Sequence, residues 1–180
     1  MKYLLTLLCL VIASPALSAD DTDYTATFRE KGYKYCAAAM NRISNWLIDQ
    51  DGQVLNQWNI ASPDEHMGNM LGSKLFSSGN SIMNLNGVKT VDGGCDLAFT
   101  LVLPVEKSCA SLRESAFKDW KYYVDIQGVP IYEDPTSGNV SAILQTVGSG
   151  CVITKVGVFF FSKDALKDFK ASPETSKSGP

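Results

Sequence analysis

The sequence predicts an α+β fold: a two-layer domain in which an N-terminal helix packs on a mostly antiparallel sheet stapled by two disulfides. Three observations carry this prediction. Near the start, Cys36, Met40, Ile43 and Leu47 recur at helical spacing and share one face. Further along, apolar residues alternate with period two, and turn signals join consecutive runs as hairpins do. Four cysteines, Cys36, Cys95, Cys109 and Cys151, remain once a leader is removed, and an even number in an exported chain reads as two disulfides.

The leader is MKYLLTLLCLVIASPALSA, residues 1–19. Lys2 supplies the positive start, an apolar run too short to span a bilayer follows, and small residues end at Ala19. The pattern is that of a bacterial signal peptide, cut before Asp20, and places the mature chain in the periplasm or outside the cell. Cys9 lies within the apolar run and not at the cleavage point, so no lipid anchor is expected. Val156–Phe161 is apolar but too short to cross a membrane. Cleavage removes one lysine and no acid, leaving the chain one charge more acidic than its formal −3. No basic stripe is visible, which argues against nucleic acid as a partner. Residues 20–170 read as a single domain, and the polar, Pro/Ser-containing stretch 171–180 as a disordered tail.

The elements follow in chain order. Asp20 to Thr27 is a polar lead, expected to be mobile. The helix runs from about Lys31 to Asp49 and ends at Asp51-Gly52. Val54 to Gly94 is rich in Gly, Asn and Ser; it holds a strand ending near Phe76 and a hairpin turning at Asn86-Gly87. Leu97, Phe99, Leu101, Leu103 and Val105 form the apolar face of the next strand, and Cys95 shares their parity. Ser111-Leu112-Arg113-Glu114 fits a capping box for a short helix from Leu112 to about Lys118. Trp120, Tyr122, Val124 and Ile126 alternate as a strand; Val140 to Val147 and Cys151 to Phe161 are two more. The last is apolar on both faces and should be central. Lys163 to Lys170 closes the domain as a helix.

Spacing restricts the disulfides. A strand of about ten residues between Cys95 and Cys109 separates its ends by roughly 30 Å, whereas bonded cysteines need Cα atoms within about 7 Å. Two pairings remain. Cys36–Cys109 with Cys95–Cys151 is favoured, tying helix to helix and strand to strand. Cys36–Cys95 with Cys109–Cys151 is the alternative. Zinc binding by these cysteines lacks the close local pairs it needs, and His66 is the single histidine, so no metal and no cofactor is expected.

Candidate chemistry is sparse. His66 follows Asp64 and Glu65, a general acid–base arrangement or a polar turn. Ser115 and Lys118 match SxxK, which on a helix would let the lysine activate the serine, but the companion motifs of such enzymes are missing. Lys121, Tyr123 and Asp125 share the polar face of an aromatic strand and, with Tyr132, form a candidate protein contact. The chain therefore reads as an exported binding protein rather than an enzyme: an inhibitor or immunity-type protein that covers another envelope or secreted protein. A small periplasmic hydrolase using His66 or Ser115/Lys118, and a structural subunit of an envelope assembly, are the alternatives.

Overall fold

A computed structural model describes residues 22–49, 51–76 and 79–170, the side chains of 168–170 excepted. The expected signal peptide, 1–19, and the tail, 171–180, lie outside the described residues. The strands are β1 (Gln53–Gln57), β2 (Gly68–Phe76), β3 (Gly79–Lys89), β4 (Cys95–Val105), β5 (Lys121–Ile126), β6 (Val129–Glu133), β7 (Val140–Val147) and β8 (Gly150–Phe161). The helices are α1 (Ala26–Glu30), α2 (Ala37–Ile48), α3 (Cys109–Glu114) and α4 (Lys163–Lys170), with a 3-10 turn at Pro63–Glu65.

The eight strands form one sheet in the order β1-β2-β3-β4-β8-β7-β6-β5, and every pairing is antiparallel. The fold is α+β, as the period-two runs predict. Two four-stranded meanders meet where β8 pairs with β4 along its length, from Cys95 opposite Phe161 to Val105 opposite Cys151. Between them the chain crosses by way of α3 to the far edge. The central place of β8 fits its apolar character on both faces.

Opposed residues of an antiparallel pair point the same way. Cys95, Leu97, Phe99 and Leu101 of β4 are buried, and α2 packs over β2, β3 and β4. The register places Cys151 and Ile153 on that same side, where α3 packs on β7 and β8. α4 lies against α2 and β8. The helices thus form one layer on one side of the sheet. Beneath them lie two apolar clusters, one centred on Met40, Met83 and Leu85, the other on Leu112, Phe117 and Ile153, with Leu103 and Trp120 touching both.

Several expectations are corrected. The helix expected from Lys31 to Asp49 is α2 and begins at Ala37, because Gly32 turns the chain with φ +96° and separates it from the short α1. The amides of Lys34 and Tyr35 then donate to the Asp64 carboxylate at 2.7 and 2.9 Å. The polar lead is pinned from Thr22 onward: the Thr22 and Tyr24 amides donate to Asn45 and Asn41 of α2 at 3.1 and 2.8 Å. Asn86-Gly87 is not a turn. β3 runs straight through it, and a Cβ at Gly87 would meet the Met40 sulfur at 2.8 Å. That glycine serves close approach of the helix, and its carbonyl accepts from the buried Tyr33 hydroxyl at 2.8 Å. Ser108, not Ser111, caps α3, its hydroxyl accepting from the Ser111 amide at 3.2 Å, so the helix is 109–114.

The disulfides are Cys36–Cys95 and Cys109–Cys151, with Cα separations of 5.7 and 4.9 Å. The favoured pairing is therefore wrong, and the alternative holds. Cys95 stands opposite Phe161, while Cys151 stands opposite Val105 at the other end of the same ladder. A span of roughly 30 Å keeps them apart. Each bond instead ties a helix start to the strand end beneath it.

Candidate functional site

β5 carries three of the four candidate contact residues and lies at the edge of the sheet, pairing only with β6. All six of its residues are exposed. The expected alternation of Trp120, Tyr122, Val124 and Ile126 is broken by a bulge between Tyr122 and Val124. Tyr122 faces the helix side opposite Tyr132, whereas Val124 lies opposite Ile131 on the other side. Tyr123 sits in the bulge with 63 % of its surface exposed. Lys121 stands opposite Glu133. The Asp125 carboxylate accepts from the Gly128 amide at 2.6 Å and so holds the turn into β6, where Gln127 and Gly128 take positive φ. Lys121, Tyr123 and Asp125 thus share the exposed edge strand but not one face, because the bulge leaves Lys121 on the side of Glu133 and Asp125 on the side of Pro130 and Tyr132. Tyr132 is buried, under the Arg113 guanidinium at 4.9 Å, and belongs to the core behind that edge.

The catalytic candidates are not brought together. His66 is exposed just after the 3-10 turn, while its neighbour Asp64 is occupied by the amides of Lys34 and Tyr35. Ser115 caps the end of α3, and its hydroxyl donates to the Ser111 carbonyl at 2.7 Å. α3 stops at Glu114, so Ser115 and Lys118 are not stacked on successive turns of a helix. Among the described residues, no three His, Cys, Asp or Glu side chains gather in a way that would hold a metal. No described helix is long and apolar enough to cross a membrane.

Sequence reasoning missed the larger surface. Among the described residues, no helix covers the other side of the sheet. One row across it reads Ile82, Val102, Thr154, Ile143, Ile131 and Val124, from β3 to β5. Beside that row Leu71 and Leu55 continue onto β2 and β1, and Val158 and Phe160 project from the end of β8. Ile82 is 59 % exposed and Phe160 68 %. Asn69 joins Asn84 and Asn86 there, donating to their side-chain oxygens at 2.7 and 2.8 Å. The signal was present in the sequence: Val152, Val156, Val158 and Phe160 make β8 apolar on its second face. That pattern marks a central strand, but it marks an exposed apolar face equally well.

Two recesses on the helix side are lined by described residues. One, about 550 Å³, lies between α3 and the β6–β7 strands. There Arg113 is already engaged, donating to the Phe117 carbonyl at 2.9 Å. The other, about 380 Å³, opens at the end of α2 over β4, with Phe76 of β2 and Lys155 of β8 in its lining. No protein-family model, no curated protein and no solved structure matches this chain.

Proposed function

We propose that this protein acts by binding another exported protein, covering it as an inhibitor or immunity-type protein does, through the uncovered face of its sheet. One observation supports this most: the apolar band from Ile82 to Val124, with exposed Leu55, Val158 and Phe160 around it, on a side where no described helix lies. Contiguous exposed apolar surface of this kind belongs to interaction sites more than to monomer surfaces. The face has a hydrophobic centre and polar margins, with Lys121 opposite Glu133 at one end and the asparagine group towards the other. Val124 and Ile126 extend it to the β5 edge, where Tyr123 adds an exposed aromatic ring.

Export rests on the leader sequence and suits two disulfides. The test is affinity capture from envelope extract under non-reducing conditions, run in parallel with three baits. These are the wild type, an Ile82→Lys/Phe160→Lys variant of the open face, and a Lys121→Ala/Tyr123→Ala/Asp125→Ala variant of the edge. A stoichiometric partner lost by the open-face variant supports the proposal, and loss by the edge variant extends the contact to β5. A partner retained by both variants, or recovery of this chain alone, overturns it. Concentration-dependent sedimentation of the wild type identifies the latter case as self-assembly.

A further inference from the structure

The helix layer has two parts. α2 and α4 cover one part of the sheet, and α3 with Phe117 and Trp120 covers the other. A groove of about 380 Å³ opens at the end of α2, over β4 and beside Phe76 of β2. Its lining is apolar: Trp46 and Leu47 from the end of α2, and Leu101, Leu103 and Val105 along β4. Lys155 is the one charged residue among the described lining residues.

Lys155 rises from the centre of the sheet, between Leu101 of β4 and Ala142 of β7. Its ammonium lies 5.6 Å from the ring centre of Trp120 and 5.9 Å from that of Phe117. Those ring faces are its partners among the described residues, and at such distances they compensate only part of the lost hydration. No described carboxylate forms an ion pair with it. Burial shifts the ammonium towards its neutral form, and the charge of Asp134 partly offsets this. Asp134 itself is engaged by the Thr136 amide and hydroxyl at 2.9 and 2.6 Å.

We propose that this groove binds an amphipathic carboxylate, a free aliphatic acid whose head group pairs with Lys155 and whose chain lies along Leu101, Leu103 and Trp46. Charge complementarity selects the head group. A single ammonium balances one carboxylate, whereas a phosphate dianion needs further donors that the lining does not offer. The backbone selects the tail. β4 and β8 pair along the groove floor, so their amides and carbonyls are already bonded to each other. A peptide laid there would leave its own amides unpaired, while a hydrocarbon chain loses nothing. The volume falls within the range of small-molecule sites, about 300–1,000 Å³. This site lies on the opposite side of the sheet from the proposed protein contact and does not depend on it.

The experiment titrates the purified protein, both disulfides formed, with dodecanoate and separately with dodecanol, below micelle-forming concentrations. Calorimetry gives the stoichiometry, and tryptophan fluorescence reports on Trp46 and Trp120. The wild type is expected to saturate with a single dodecanoate. Lys155→Met is expected to weaken dodecanoate binding by about tenfold or more while leaving dodecanol binding within about twofold. Lys155→Arg, which keeps the charge, retains dodecanoate binding. Leu103→Trp fills the groove and weakens both ligands. Absence of saturable dodecanoate binding, equal affinity of wild type and Lys155→Met, or loss of binding in Lys155→Arg as deep as in Lys155→Met overturns the proposal.

Discussion

The two faces of β3 make the most instructive contrast in the molecule. Towards the helices, Met83 and Leu85 are fully buried, and Gly87 lets α2 approach. Away from them, Ile82 and Val88 are exposed at 59 % and 41 %, and Asn84 and Asn86 bond to Asn69 of β2. Both faces carry aliphatic side chains. What separates them is the layer above. A side chain gains from burial only if something covers it, and α2 reaches one side alone. The covered face stabilises the fold. The open face leaves apolar side chains such as Ile82 in contact with water.

That contrast can be tested from its strongest consequence downward. Leu85→Ala leaves a cavity under α2 and should cost about 2–5 kcal/mol in urea unfolding under non-reducing conditions. A cost below about 1 kcal/mol would mean that the helix layer is not closely packed on β3. Replacing Cys36 and Cys95 together by serine releases the tie between α2 and β4 and should cost about 2–4 kcal/mol. The fold should survive, since Cys109–Cys151 and the sheet remain. If that change instead leaves the unfolding midpoint unmoved, the bond is not what holds α2 down. Ile82→Ala, on the same strand but the other face, should cost about 1 kcal/mol or less. A loss as large as that of Leu85→Ala would show that Ile82 is covered in solution, and equilibrium sedimentation would then tell whether a second copy covers it.

Much of the architecture was legible in the sequence. The alternation in 97–105 marks β4 and its inward face, and the double-sided apolarity of 151–161 marks β8 as central. The spacing of Cys36, Met40, Ile43 and Leu47 marks the buried stripe of α2. The illegible parts have identifiable causes. Asn86-Gly87 carries the chemistry of a hairpin turn, but here the glycine answers to the Met40 side chain, which approaches from a helix distant in sequence. The bulge at Tyr123 moves Val124 to the other face, and no local residue announces it. The cap of α3 moved by one turn because two serines, Ser108 and Ser111, offer the same side-chain chemistry.

The candidate sites divide in the same way. Lys121, Tyr123 and Asp125 are all exposed on the β5 edge, but the bulge breaks their shared parity and puts Lys121 and Asp125 on opposite faces, whereas Tyr132 turned inward because β6 places it opposite Ala142 beneath α3. Lys155 drew no attention in the sequence. A lysine inside a β-strand reads as solvated, and only the tertiary structure sets it under the rings of Phe117 and Trp120 beside an apolar groove.

By itself, the sequence determined α2, β4, β7, β8 and α4 in outline and the stock of cysteines that could be joined, because periodicity and turn chemistry act between near neighbours. It also excluded Cys95–Cys109, because the length of a strand is fixed by its residue count. The tertiary structure alone decided which helix lies over which strand end, and hence that Cys36 meets Cys95 and Cys109 meets Cys151. It also decided which apolar face no described helix covers and that Lys155 meets the rings of Trp120 and Phe117 beside an apolar groove. Those outcomes depend on strand order and on the side of the sheet each helix takes, and both are fixed by contacts between residues far apart in the chain.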